Sequence, residues 1–154
     1  MPGKLKVLVV DDVEMNRIIL SELFADSYNV LEAENGEQAL LLLRQYHENI
    51  AIMLLDVVMP VMDGYKVLQE MGANGLLDEV PVVVITADNS LEGELRAFDL
   101  GASDIIVKPF EPHVVKRRVH NIIELYLHKH NLEDMVEQQA QKLRESNDLL
   151  VDAL

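Results

Sequence analysis

Short apolar runs alternate with amphipathic segments along the first two thirds of the chain. Five of these runs are continuous and rich in β-branched residues, which is typical of strands buried on both faces of a parallel sheet. We predict strands at residues 5–10, 28–31, 50–55, 80–85 and 104–107. The segments between them repeat apolar positions at helical spacing and predict helices near residues 14–26, 36–46, 64–71 and 90–100.

Two of the predicted helices begin with a capping signal. Asn35-x-x-Gln38 and Asn89-x-x-Glu92 resemble capping boxes, in which a polar side chain accepts a hydrogen bond from the first helical turn. Five strand–helix units joined by right-handed crossovers form an open, doubly wound α/β sheet. In such a sheet the ligand site is expected beyond the carboxyl ends of the strands.

The last quarter of the chain has a different pattern. No glycine or proline follows Pro112, and the residues are rich in Glu, Gln, Lys, Leu and Ala, which predicts one long helix or two nearly continuous ones. Steps of four and three predict a heptad seam through Val115, Val119, Ile122, Tyr126, Lys129, Glu133, Val136, Ala140, Leu143, Asn147, Leu150 and Leu154. Leu125 and Leu132 fall outside this seam.

The seam favours a parallel two-stranded coiled coil, in which Asn147 would set the register. A helix that folds back on its own domain is the alternative interpretation. We predict a globular domain over residues 1–125 and a helical, coiled-coil-like linker over residues 126–154, leading to an output domain that is absent from this sequence.

Composition narrows the class of protein. The 154 residues are 49% hydrophobic, enough for one core. The absence of cysteine excludes disulfides, thiolate metal sites and cysteine nucleophiles. A net charge of −14 argues against direct contact with nucleic acid. The first apolar run is too short for a signal peptide or a membrane span, so we predict a cytoplasmic protein without membrane insertion.

Candidate chemistry collects where the predicted strands end. Asp11 and Asp12 follow the first strand, Asp56 the third, Thr86 the fourth and Lys108 the fifth. Because the carboxyl ends of parallel strands share one edge of the sheet, these side chains should lie close together. Three crowded carboxylates raise one another's pKa unless a cation lies among them. Hard oxygen ligands that leave room for water suit Mg²⁺ or Mn²⁺.

The remaining polar groups at this edge point to phosphoryl chemistry. Lys108 supplies a fixed positive charge and Thr86 a hydroxyl, so the site can hold a group with more anionic oxygens than a carboxylate. Asp56 stands alone at its strand end and is the candidate acceptor for in-line transfer onto a carboxylate oxygen. We therefore predict Asp56, Thr86 and Lys108 as the catalytic residues.

Five separated motifs carry a resemblance to a known family. They are Val9-Val10-Asp11-Asp12, Leu55-Asp56-Val57-Val58-Met59-Pro60-Val61-Met62-Asp63-Gly64, Ile85-Thr86-Ala87, Gly101-Ala102-Ser103-Asp104 and Val107-Lys108-Pro109-Phe110. In this combination and spacing, residues 4–125 resemble the receiver domain of two-component response regulators. The resemblance implies a flavodoxin-like sheet of strand order 2-1-3-4-5.

The resemblance also assigns roles to site residues. It implies that Asp56 accepts the phosphoryl group, that Asp12, Asp56 and the main-chain carbonyl of Val58 bind Mg²⁺, and that Asp11 assists through water. The implied contacts to the phosphoryl oxygens come from Thr86 and Lys108. The implied phosphodonor is a sensor histidine kinase or a phosphotransfer protein, and the chain itself is expected to signal and not to act as an enzyme.

Pairing between two copies is a further expectation. We predict a homodimer through the C-terminal helix and through the face formed by the fourth helix, fifth strand and fifth helix, with Arg96, Asp99 and Arg118 on that face.

The run Gln141–Leu150 faintly resembles the linker ahead of the His-Asp, Gly-Tyr-Pro class of cyclic-di-GMP phosphodiesterases. A diguanylate cyclase or a histidine kinase output is an alternative.

Three positions depart from the family pattern. Ile105 stands where many receivers have an aromatic switch residue, which favours output through loop and helix shifts. Val58 and Asp88 should flank the phosphoryl group, and we expect Val58 to hinder the attacking water and prolong the aspartyl phosphate.

Three alternatives to a phosphorylated receiver remain. The first is a degenerate receiver that acts only through protein contacts. An aspartyl-phosphate hydrolase is less favoured because it needs a second Asp at the position of Val58. A flavin-binding module is less favoured because Asp11 and Asp12 would repel its phosphate.

Overall fold

The structure, a computed structural model, describes residues 5–153, with side-chain burial through residue 150. The strands are β1 Lys6–Val10, β2 Asn29–Ala33, β3 Ile50–Leu55, β4 Val82–Thr86 and β5 Asp104–Val107. The helices are α1 Glu14–Phe24, α2 Gly36–Tyr46, α3 Gly64–Ala73, α4 Leu91–Asp99 and α5 Pro112–Ala153. Short 3-10 helices at His47–Asn49 and Leu76–Asp78 precede β3 and β4.

All five strands form one parallel sheet of order β2-β1-β3-β4-β5, which confirms the expected topology. In the register of β1 with β3, Val10 lies opposite Leu55. The next residue of β3 continues this pairing, since the amide of Asp56 donates to the carbonyl of Val10 at 2.9 Å. Asp11 and Asp56 therefore leave the sheet side by side.

The central strands are buried on both faces. Val7–Val10, Ile52–Leu55 and Val82–Ile85 are at most 2% exposed, as expected for a parallel sheet covered by helices on two sides. Helices cover the sheet with apolar residues at helical spacing, such as Val67 and Met71 of α3. Each fully buried side chain of this size contributes about 1.5–3 kcal/mol to folding, so the strands that lead to the site are anchored in the core.

The capping prediction was half right. Asn35 caps α2, where its side chain accepts from the amide of Gln38 at 2.9 Å, which confirms the predicted cap, and the side chain of Gln38 accepts from the amide of Glu34 at 2.9 Å instead of that of Asn35. The cap of α4 is Ser90 and not Asn89, because the Ser90 hydroxyl accepts from the amide of Gly93 at 3.0 Å. Neighbouring cap-forming residues made the sequence ambiguous here.

Two strand bounds differ from the prediction in ways that bear on the site. β2 ends at Ala33 and not at residue 31. β4 begins at Val82 and includes Thr86, which was expected to follow the strand. A β-branched threonine with a buried side chain extends the ladder by one residue, opposite Val107 of β5.

Helix α5 runs without interruption for 42 residues, as the absence of breakers predicted. The described chain divides into one compact unit that ends at Ile122 and another that begins at Ile123. The predicted seam is wrong at its start, because Val115 and Val119 are completely buried and belong to the core of the first unit. Within residues 5–153, no helix is apolar over enough length to cross a lipid bilayer.

Candidate functional site

Three carboxylates meet at the carboxyl edge of the sheet. The side chains of Asp11 and Asp56 are 3% and 6% exposed, respectively, whereas Asp12 is exposed. One carboxylate oxygen from each of the three residues lies within 4.8 Å of the other two. Adjacent strands β1 and β3 position this cluster, so its geometry follows directly from the strand order.

Lys108 reaches this cluster from the far end of the sheet. It follows β5, two strands away from β3, and its main-chain amide donates to the carbonyl of Thr86 at 2.8 Å. Its ammonium group donates to Asp11 Oδ2 at 3.0 Å and to Asp56 Oδ2 at 3.3 Å. The Lys108–Pro109 peptide bond is cis. One cation therefore bridges the two buried carboxylates.

Burial shifts the pKa of Asp56 more than repulsion by the charge of Asp11 does. Desolvation raises the pKa of Asp56, and the charge of Asp11 adds to this, while Lys108 and the amide of Val58 act in the opposite direction. The mutual repulsion expected from sequence is thus the smaller cause. Desolvation would lower the pKa of Lys108, but its hydrogen bonds and proximity to Asp11 and Asp56 outweigh this and raise it.

Main-chain amides orient both buried carboxylates. The amide of Val13 donates to Asp11 Oδ1 at 2.9 Å, and the amide of Val58 donates to Asp56 Oδ1 at 3.2 Å. Val58 itself is 66% exposed. Asp56 thus has one oxygen bound to an amide and the other facing Lys108, which fixes the orientation of its carboxylate.

Thr86 and Asp88 form the rim on the side of β4. Thr86 is buried, and its Oγ1 accepts from the amide of Asp88 at 3.1 Å, which leaves the hydroxyl proton to donate elsewhere. The Asp88 carboxylate accepts from the amide of Ser90 at 2.9 Å. Hydrogen bonds from Ser90 lower the pKa of Asp88, so this rim is anionic at neutral pH.

Gly64 allows α3 to begin directly against Asp56. A Cβ at this position would lie 2.5 Å from the carbonyl oxygen of Asp56 and 2.7 Å from Cα of Val57. Asp63 caps the helix, accepting from the amide of Lys66 at 2.9 Å. The close approach explains the need for glycine, since any side chain would push α3 away from the main chain of Asp56.

The donor set fits a divalent cation. Three carboxylates and one ammonium group leave a formal charge of −2 within a few ångströms, and all the candidate side-chain ligands are oxygens. Hard cations such as Mg²⁺ prefer this chemistry. Asp11, Asp12 and Asp56 are therefore the side chains that could hold such an ion.

Sequence reasoning missed Arg17 as a site residue. This arginine lies on the inward face of α1 with Leu20 and Phe24, and it is 9% exposed. Its Nη1 donates to the main-chain carbonyl of Asp11 at 2.7 Å. The signal was available, because a charged residue in register with the apolar face of an amphipathic helix requires a polar partner.

The arginines of the expected pairing face have partners within the chain. The guanidinium of Arg96 stacks on the ring of Tyr65 at 4.1 Å from its centroid. Arg118 donates to the carbonyl of Ile105 at 3.3 Å and lies 3.8 Å from the Asp104 carboxylate. Both arginines therefore link neighbouring elements of the first unit.

Comparison with known proteins decides the family. The sequence model of the response regulator receiver domain family matches residues 7–120 of this chain. That range contains every site residue described above. The chain belongs to the response regulator receiver family.

Curated relatives share about a third of the receiver's residues. A probable transcriptional regulator ycf27 from Porphyridium aerugineum is 36% identical over 121 residues, covering 78% of this chain and 48% of the relative. A probable cyclic di-GMP phosphodiesterase from Vibrio cholerae is 36% identical over 118 residues, covering 77% of this chain and 26% of the relative. The chain thus spans about half, or less, of the length of these relatives.

Solved receiver structures have the same fold. The BeF3-activated DrrB receiver domain superposes with a TM-score of 0.70 at 28% identity and covers 79% of this chain and 99% of its own. The chemotaxis response regulator CheY4 of Vibrio cholerae superposes with a TM-score of 0.71 at 27% identity, covering 78% and 99%. CheY in the CheX-CheY-BeF3-Mg complex from Borrelia burgdorferi gives 0.70 at 30% identity, covering 77% and 88%.

Proposed function

We propose that this receiver accepts a phosphoryl group on Asp56 from a phosphohistidine of a sensor histidine kinase or phosphotransfer protein. One observation carries the proposal: the Asp56 carboxylate, 6% exposed, lies 3.3 Å from the Lys108 ammonium and within 4.8 Å of carboxylate oxygens of Asp11 and Asp12. A buried, oriented carboxylate beside both a cation and a divalent-metal ligand set is suited to phosphoryl transfer.

The reaction forms an O–P bond to Asp56 while the P–N bond of the donor imidazole breaks, and the imidazole leaves with the electron pair. Lys108 and the hydroxyl of Thr86 would stabilise the charge on the transferring oxygens, as would the amide of Val58. Asp11, Asp12, Asp56 and the carbonyl of Val58 would hold Mg²⁺, or Mn²⁺ in its place. When bound, the metal supplies charge neutralisation for the phosphoryl oxygens.

The switch is proposed to act through α5. New charge at Asp56 can shift an equilibrium only if it favours one of two arrangements. We assign these to dimer packing along the part of α5 that begins at Ile123, called the tail. The tail has large apolar side chains exposed at heptad spacing in Val136, Leu143 and Leu150, and also in Leu125 and Leu132, which the predicted seam left out. An exposed apolar seam on a long helix favours pairing with a second copy.

The chain is proposed to act as a signalling domain, with any enzymatic output in a segment outside this sequence. A degenerate receiver that switches by protein contact alone is the second candidate, and the test below separates it. A hydrolase of aspartyl phosphates would need a second acid at Val58, whose side chain carries no proton to donate.

Intact mass after incubation with acetyl phosphate tests the proposal. We expect one phosphoryl adduct in the presence of Mg²⁺, none with a chelator and none in Asp56→Asn. Asp63→Asn is the matched control, because it changes an exposed aspartate on the same loop and should leave the adduct unchanged. Mg²⁺ binding without an adduct from either acetyl phosphate or a phosphohistidine donor would establish the degenerate receiver instead.

A further inference from the structure

The guanidinium of Arg17 is unusual because it occupies a core position of α1. The residues that share its face, Leu20 and Phe24, are 2% and 3% exposed. Burying a charged group there is costly unless the group is paired and hydrogen-bonded, and packing alone favours an apolar residue. Arg17 has two partners: the carbonyl of Asp11 at 2.7 Å and the Glu32 carboxylate at 3.5 Å.

The bond to Asp11 fixes one particular peptide unit. The amide of Asp11 still belongs to the sheet, donating to the carbonyl of Ala33 at 3.2 Å, whereas its carbonyl lies beyond the strand and accepts from Arg17. That carbonyl belongs to the peptide joining Asp11 to Asp12. Arg17 therefore sets the orientation of the main chain that enters Asp12.

Asp12 depends on this orientation more than its neighbours do. The Asp11 carboxylate is held by the amide of Val13 and by Lys108. Among residues 5–153, no hydrogen bond or ion pair restrains the exposed carboxylate of Asp12. The position of its Cβ, and with it the region that the carboxylate can reach, is consequently determined by the main chain that carries it.

We infer that Arg17 is a positioning residue for the metal site, holding the Asp11–Asp12 peptide so that the Asp12 carboxylate converges with those of Asp11 and Asp56. The inference rests on the proposed function only in taking these carboxylates as a divalent-cation site. Arg17 touches none of the reacting groups and acts through the loop between β1 and α1.

Charge and positioning predict opposite effects of removing Arg17. A nearby cation repels Mg²⁺, so by charge alone its loss would tighten metal binding. If Arg17 positions the ligands, its loss weakens binding, and losses of supporting contacts around metal ligands are typically about tenfold or more in affinity. The sign of the change therefore separates the two effects.

The test is calorimetric titration of the full chain with Mg²⁺, comparing the parent with Arg17→Met and Arg17→Lys. Urea unfolding in chelator fixes conditions in which each variant is fully folded. We expect both variants to lose about tenfold in affinity, because methionine cannot donate and the shorter lysine does not reproduce the guanidinium's bond to the Asp11 carbonyl. Glu32→Gln is the matched control: it removes the ion pair and keeps the bond to Asp11, and its affinity should stay within about twofold of the parent.

Parental or tighter Mg²⁺ affinity in folded Arg17→Met would overturn the inference and make Arg17 a stability residue. If that variant does not fold, the decision passes to Arg17→Lys on the same criterion. A parent that binds no Mg²⁺ would instead contradict the proposed metal site itself. Normal binding by the parent and by both Arg17 variants would leave the proposed function intact and refute only the positioning role.

Discussion

Lys108 Nζ lies 3.3 Å from Asp56 Oδ2, although the two residues are 52 positions apart and their strands are separated by β4. The same ammonium group lies 3.0 Å from Asp11 Oδ2. A single lysine thus neutralises part of the charge of three carboxylates. The contacts that offset the burial of Asp11 and Asp56 also place a cation beside Asp56.

Lys108→Met should destabilise the metal-free protein by about 2–3 kcal/mol, because it leaves two buried carboxylates without their cation. The raised pKa of Lys108 means that its stabilising contribution is complete at neutral pH and is lost only as pH rises through that raised pKa. Urea unfolding at pH 7 in chelator measures the effect, and Mg²⁺ should restore much of the loss.

Lys66→Met is the control for this substitution. Lys66 pairs with Glu70 at 3.3 Å on the exposed surface of α3, and its loss should cost less than about 0.5 kcal/mol. Equal costs for the two lysines would show that Lys108 does not stabilise the carboxylate cluster.

Val58→Asn should shorten the lifetime of the aspartyl phosphate by about tenfold, equivalent to about 1.4 kcal/mol in the hydrolysis barrier. We expect the exposed valine side chain to hinder the attacking water, whereas an amide would orient that water. Loss of the phosphoryl adduct is followed by mass after the phosphodonor is removed. Val61→Asn, the same change on the same loop, should leave the lifetime of the aspartyl phosphate unchanged. An unaltered lifetime in Val58→Asn would refute the role of Val58 in hindering water.

Gly64→Ala should destabilise the protein by about 1–3 kcal/mol and slow phosphorylation, since the new methyl group would lie 2.5 Å from the Asp56 carbonyl oxygen. Gly72→Ala on the same helix has its nearest neighbour at 3.6 Å and should stabilise it by about 0.5–1 kcal/mol. Chemical unfolding and the rate of adduct formation measure the two effects. A neutral Gly64→Ala would mean that α3 shifts without disturbing the acceptor.

Leu143→Lys should weaken self-association of the chain, because it introduces a charge at an exposed apolar position of the proposed seam. Light scattering across a concentration series should show the parent approaching dimer mass and the variant remaining monomeric. Gln141→Lys adds the same charge two residues away, off the seam, and should associate like the parent. Monomeric behaviour of the parent with and without phosphorylation would contradict pairing through the tail.

Sequence patterns predicted the sheet and the positions of its chemical groups well, because buried parallel strands are continuous apolar runs and their ends share one edge. Asp11 and Asp56 are placed by this rule alone. Local ambiguity explains the smaller errors: Thr86 is itself a strand former, and either Asn89 or Ser90 can cap a helix.

Three features could not be predicted in full from local pattern. A core stripe and a coiled-coil seam share the same spacing, so Val115 and Val119 were assigned to the wrong surface. The contacts of Lys108 depend on how far a long side chain extends across two strands. The apolar face of α1 indicates that Arg17 needs a polar partner, but no spacing rule identifies that partner as the main-chain carbonyl of Asp11 beyond the end of β1.

Chemical mapping of the phosphorylated residue tests the central claim most directly. After incubation with acetyl phosphate and Mg²⁺, borohydride reduces an aspartyl phosphate to homoserine, and peptide sequencing by mass spectrometry locates the change. We predict homoserine at position 56, with Asp11 and Asp12 unmodified. Homoserine at either of those two residues, or a phosphoryl group on a side chain other than aspartate, would contradict the assignment of Asp56 as the acceptor.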